Sequence, residues 1–256
     1  MLGTWHGRVV PHHLLRQPRT PRVHGGFHRA AADRHGDLVA VLLGIHRRGG
    51  HAIPAGETIR IGWSLVRVRG RDDGTLGLAE RTDAQNWVEQ VDRTLCDVWF
   101  QREIAAGVGL ADHLDFPGED QQAIVSSCGL ESPVLVLART ATKDPDSSGW
   151  SVECFEDHAH RASYYTTLLE LAAAMPFAVQ FFALPVATTV LIESPEITPT
   201  GTIRPHIVDA DGVELPPIPG SYLDYLVNGS PNDQPDVASR SATTARAVAT
   251  PDSSPI

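Results

Sequence analysis

Residues 146–160 read DSSGWSVECFEDHAH, and the fold turns on whether this stretch is a chemical site or a turn, a strand and its exit loop. GWSVECF is a short β-rich run behind turn residues. The second half brings together Cys154, Glu156, Asp157, His158 and His160. Cys and His a few positions apart can ligate zinc, and two His at i and i+2 share one face of an extended segment. A closed zinc site needs four ligands, however, and a catalytic one needs three plus water. His113 and His206 stand alone in the sequence, so no second cluster completes the set. Between a strand and a helix, Asp and His serve equally as caps or as a solvated loop. The stretch is therefore read as turn, strand and loop, with a metal-dependent hydrolase using Asp157, His158 and His160 kept as the alternative.

Working outward, AIVSSC and PVLVLART precede this strand as two more β-rich runs, and ATTVLIE and TIRPHIVDADG follow further on. RASYYTTLLELAAAM, residues 161–175, has the pattern of a helix with Leu168, Leu169 and Leu171 facing inward. Upstream, IRIGWSLVRV alternates and DDG makes a hairpin turn before TLGLAE. DAQNWVEQVDRTLCDVWFQREIAAGVGL then reads as one long helix. Trp87, Val91, Leu95, Val98, Trp99 and Ile104 recur along it as a core stripe, with Asp83 as N-cap and Gly107 as stop. The class is α+β, an antiparallel or mixed sheet packed with helices. Residues 1–56 form an irregular Arg/His-rich extension holding one apolar run, LVAVLLGI; residues 57–121 form a hairpin–helix unit; residues 122–226 form the main α+β domain. Residues 227–256 are polar, rich in Pro, Ser and Thr, and aromatic-free, the composition of a disordered tail.

The chain has 256 residues and a net charge of −10, which argues against generic affinity for phosphate backbones, so no nucleic-acid partner is expected. Such a surface suits a protein partner carrying a basic patch. Leu171 to Ile192 imitates a membrane span, but Pro176 and Pro185 cut it into pieces, and ATTVLI is β-branched; no membrane partner is expected. MLGTWHGRVVPHH lacks the apolar core of a secretory signal, which places the expected site of action in the cytoplasm. Cys96, Cys128 and Cys154 show no metal-type spacing and read as buried or half-buried thiols. The chain holds no G-x-S-x-G elbow, Walker loop or G-x-G-x-x-G fingerprint. Neither catalytic residues nor a cofactor are assigned.

Residues 134–158 (VLVLARTATKDPDSSGWSVECFEDH) and the later run LLELAAAMPFAVQFFALPVATTVLIE together resemble the bacterial Imm33-type immunity domain. The match covers roughly residues 122–225 and rests on Asp146, Ser148, Gly149 and Trp150, then Leu168, Leu169, Pro176, Phe181, Phe182, Leu184 and Pro185. A Gly usual shortly after the second Pro is replaced by Ala187. The resemblance implies a non-enzymatic inhibitor of a cognate toxin, in a polymorphic toxin system, with no catalytic residues. Gly149, Trp150, Pro176, Leu184 and Pro185 then serve the architecture. Partner contacts fall in the loops, at Asp112, Asp115, Glu119 and Asp120 and at Glu156, Asp157, His158 and His160. A regulatory protein-binding module is a further alternative. Oligomeric state is not legible.

Overall fold

The computed structural model describes residues 54–129, 132–156, 162–194 and 203–229, and the architecture is α+β. Most of residues 1–56 and 227–256, and Asp157, His158 and His160, lie outside the described residues. Strands β1 (Thr58–Ile61), β2 (Ser64–Gly70), β3 (Leu76–Arg81) and β4 (Trp87–Val88) form an antiparallel sheet in that order. A second sheet is built from β5 (Gln122–Ser126), β6 (Val134–Arg139), β7 (Ser147–Cys154), β8 (Ser163–Thr167), β9 (Thr189–Glu193), β10 (Arg204–Val208) and β11 (Glu214–Leu215). Its order is β11-β10-β9-β6-β7-β5-β8, with β5 and β7 parallel and every other pair antiparallel. The helices are α1 (Asp92–Gly107), α2 (Leu168–Ala174) and α3 (Tyr222–Asn228).

Alternation decides which face of the larger sheet is buried. Leu135, Leu137, Trp150, Val152, Val190, Ile192 and Ile207 point into the core, because successive side chains of a strand face opposite sides. The apolar run that imitates a membrane span becomes part of α2, the 3-10 segment Pro176–Phe181 and β9; the first two pack on this face and β9 joins the sheet. Pro176 opens the 3-10 segment, where its missing N–H costs nothing. Among the described residues no helix is long and apolar enough to cross a membrane. Phe182 is the hub. Its ring lies 5.7 Å from Trp63 and 6.0 Å from Trp150, and its carbonyl accepts the Trp150 indole N–H at 3.1 Å. Trp63, at the β1–β2 turn, and Ile104, on α1, belong to the same buried cluster as Trp150, Phe181 and Leu184. Trp63 thus ties the β1–β2 turn of the first sheet into the core of the larger one.

Gly149 is where the opening stretch becomes architecture. Its φ is +77°, and a Cβ there would sit 2.2 Å from the Thr140 carbonyl oxygen, so only glycine lets β7 pass so close to the end of β6. Ala187 occupies a comparable backbone state, with φ +67°, and donates its N–H to the Arg139 carbonyl at 2.8 Å. The turn that glycine would normally make is thus kept, with a strained alanine in it.

Three elements differ from the expectation. The helix begins at Asp92, not near Asp83. The Asp83 carboxylate instead caps a turn by accepting the Gln85 and Asn86 N–H groups, and Trp87–Val88 pairs with β3. Trp87 is not a core residue; the Arg67 guanidinium stacks 4.3 Å from its ring. The buried positions of α1 are Thr94, Gln101, Ile104, Ala105 and Gly107, while Trp99 packs half-buried against Tyr222. Residues 163–167 form a strand, not helix, because Tyr-Tyr-Thr-Thr favours the pleated state; α2 starts only at Leu168. Thr167 and Glu170 close a capping box there. Finally, the Pro-rich exit contains α3, capped by Ser221.

Candidate functional site

The loop residues expected to meet a partner divide into two groups. Asp112, in a 3-10 turn, and Asp120 face solvent, and Glu156 is exposed just beyond β7. Asp115 is exposed too, and only Glu119 of the described members is buried. Asp115 pairs through Oδ2 with Arg139 at 3.1 Å and lends it a backbone carbonyl as well. Glu119 is the correction: only 1% exposed, it lies beneath the surface and pairs with Arg81 at 3.1 Å. The backbone fixes it there, since its N–H donates to the Trp63 carbonyl and its own carbonyl accepts the Leu169 N–H. Burial pushes its carboxyl up, against the attraction of Arg81. Asp120, 2.6 Å from the same guanidinium, completes a bridge between β3 and the loop before β5.

A polar cleft of about 390 Å³ opens beside the Gly149 turn, among Arg60, Arg139, Lys143, Thr142, Ser147 and Ser148. Arg139 is already committed to Asp115 and to the Leu184 carbonyl, so it joins β6 to two loops rather than facing a ligand. A smaller cleft of about 150 Å³ holds Asp97 against Trp63, Arg93 and Pro176. Burial, aided by the charges of Glu80 and Glu119, pushes the Asp97 carboxyl up to about 7; Arg93 opposes the shift. The Trp63 indole N–H, close by, makes no well-formed hydrogen bond. Glu80 has a second role: from β3, its carboxylate accepts the Thr94 N–H at 2.8 Å and caps α1, whose own Val91 offers no side-chain cap. Among the described residues no group of three His, Cys, Asp or Glu is placed to hold a metal ion.

The feature that sequence reading missed is the edge of the larger sheet. β8 is SYYTT, the terminal strand of this sheet among the described residues, with neither a charge nor a proline. The bonds Ser127 N–H to Ala162 C=O and Leu168 N–H to Gln121 C=O fix which residues face β5. By alternation Tyr164 and Thr166 bond to β5, while the N–H and C=O groups of Ser163 and Tyr165 point outward. The Thr167 N–H is taken by Glu170. Tyr164 (44% exposed) and Tyr165 (71%) lie on opposite faces and straddle the edge. Ile124 (41%) stands opposite Tyr165 across the β5–β8 pair, and Phe155 (64%) is exposed just past the end of β7. The T-x-x-E capping signal at Thr167 was available to separate this strand from α2.

Compared with protein-family models, curated proteins and solved structures, the chain matches none.

Proposed function

We propose that the chain is a non-enzymatic immunity or inhibitor protein that binds a cognate bacterial protein toxin, and that the toxin docks along the outer edge of β8. One observation carries this reading: a five-residue edge strand that, among the described residues, has no neighbour on its outer side and presents two tyrosines and outward backbone groups, with no charge or proline. Soluble proteins ordinarily blunt such an edge with charge, proline or a covering element, because it templates pairing with other chains. Added strands gain main-chain hydrogen bonds from the edge and specificity from flanking side-chain pockets. Tyrosine is the residue type that anchors interfaces, since it buries a large area at low entropic cost and keeps a polar tip. The net charge of −10 supports a basic partner, and the resemblance carried by Asp146, Ser148, Gly149 and Trp150 supports a toxin as that partner.

The test is co-expression with each toxin candidate encoded beside the gene, followed by titration calorimetry on the pair that survives. Expected is rescue of growth, with affinity in roughly the nanomolar range and weakening as salt rises. Tyr165→Lys puts a charge on the edge and should weaken binding by about thirtyfold or more, the range of an interface anchor. Failure to rescue from any neighbouring toxin contradicts the function. Rescue with an unimpaired Tyr165→Lys protein contradicts the docking edge.

A further inference from the structure

Cys128 and Cys154 are far apart in sequence, and the sheet brings them together. β5 and β7 run parallel with Val125 opposite Val152, so Cys128, two residues beyond β5, arrives beside Cys154 at the end of β7. Their sulfurs are 3.5 Å apart. Neighbouring strands are spaced roughly 4.8 Å. Residues on adjacent strands can fall in the Cα range a disulfide spans, roughly 4.4–6.8 Å. The turn carrying Cys128 is seated directly on β7. A Cβ on Gly129 would lie 3.0 Å from the Glu153 carbonyl carbon, so glycine permits the close approach. The Ser127 N–H, bonded to the Ala162 carbonyl at 2.9 Å, ties the same turn on its other side. Cys128 itself is half-buried and reachable, whereas Cys154 is 7% exposed. Cys96, the third thiol, is exposed on α1.

We propose that Cys128 and Cys154 are a redox-active dithiol that closes to an intramolecular disulfide when the protein meets a peroxide. The Cys128 thiolate attacks one peroxide oxygen, the O–O bond breaks, and hydroxide leaves and takes a proton to become water, with Cys128 now a sulfenic acid. The Cys154 sulfur attacks the Cys128 sulfur and expels the second hydroxide, which takes the Cys154 proton. Two thiols and one hydrogen peroxide give one disulfide and two waters, a two-electron oxidation that a dithiol reductant reverses. The order of attack follows from exposure, and burial, which pushes the Cys154 thiol up, agrees with it. Closure shortens a sulfur contact of 3.5 Å to a bond, and Cys128 sits in a turn outside the strand ladder, which can adjust to it.

The experiment treats the purified full chain with hydrogen peroxide, then counts thiols in denaturant and maps disulfide-linked peptides. Expected is a fall from three thiols to one, a mass lower by two hydrogen atoms, a Cys128–Cys154 peptide link and full recovery with dithiothreitol. Cys96→Ser should form the same link. Cys128→Ser should lose it, and Cys154→Ser should stop at a sulfenic acid captured by dimedone. Because Cys154 is buried and its variant is the one at risk of misfolding, the unsubstituted chain and Cys96→Ser decide. Three surviving thiols, or dimers linked through Cys96 with no Cys128–Cys154 peptide, overturn the proposal. Neither outcome bears on toxin binding.

Discussion

Replacing Asp97 by Asn should make the protein more stable at pH 8 and leave it nearly unchanged at pH 3.5. Asp97 is an aspartate whose carboxyl sits at about 7 instead of the ordinary 3.8, chiefly because it is buried beside Trp63 and Pro176, with Glu80 and Glu119 adding repulsion. Below roughly pH 4 the group is protonated in both the folded and unfolded chains and favours neither. Between about pH 4 and 7 the folded chain keeps its proton while the unfolded chain has released its own, so the stability this group contributes falls as pH rises. Above 7 both are ionised and the loss is complete. At about 1.36 kcal/mol for each pH unit between the two values, the full span approaches roughly 4 kcal/mol. The cleft still admits some water, so screening brings the expected figure to on the order of 2 kcal/mol. Asparagine has the same shape and no proton to lose. Urea unfolding of both proteins from pH 3.5 to 8 isolates the effect, because groups that do not interact with Asp97 cancel in the difference. The difference should open between pH 4 and 7 and then level off. A difference independent of pH would refute the placement of Asp97.

Four further outcomes follow from particular contacts. Gly149→Ala should destabilise by at least about 2 kcal/mol in urea titration, since it combines a left-handed backbone with a Cβ driven into the Thr140 carbonyl. Ala187→Gly should raise stability by about 1 kcal/mol, read as a higher thermal midpoint, because it relieves strain at φ +67°. Trp150→Phe removes the indole N–H that reaches the Phe182 carbonyl and should cost about 1–3 kcal/mol, with the orphaned carbonyl as the main penalty. Glu80→Ala should cost about 1 kcal/mol and increase amide exchange in the first turn of α1, where Thr94 loses its acceptor.

Much of this fold was legible where one physical signal acted alone. Turn residues before a β-rich run gave β7, and Pro176 and Pro185 divided the apolar stretch into helix, 3-10 segment and strand. Reading failed where two signals competed. The spacing of Trp87, Val91 and Leu95 mimics a helix, but the Asp83 turn and the Arg67–Trp87 stack hold that segment in the first sheet. Tyr164 to Thr167 was absorbed into the helical pattern of the leucines after it, although Thr167 and Glu170 mark the boundary. Glu119 could not be placed, because its burial depends on Arg81, 38 residues away in sequence. The pairing of Cys128 with Cys154 likewise comes from strand order, which no local spacing records.

Amide hydrogen exchange across β8, with and without the toxin that co-expression identifies, tests the central claim most directly. In the protein alone the Ser163 and Tyr165 amides point away from β5 and should exchange quickly, while Tyr164 and Thr166 exchange slowly. In the complex Ser163 and Tyr165 should become protected as the added segment takes up their bonds. Protection that appears elsewhere on the protein and leaves both amides exchanging as before would contradict the account.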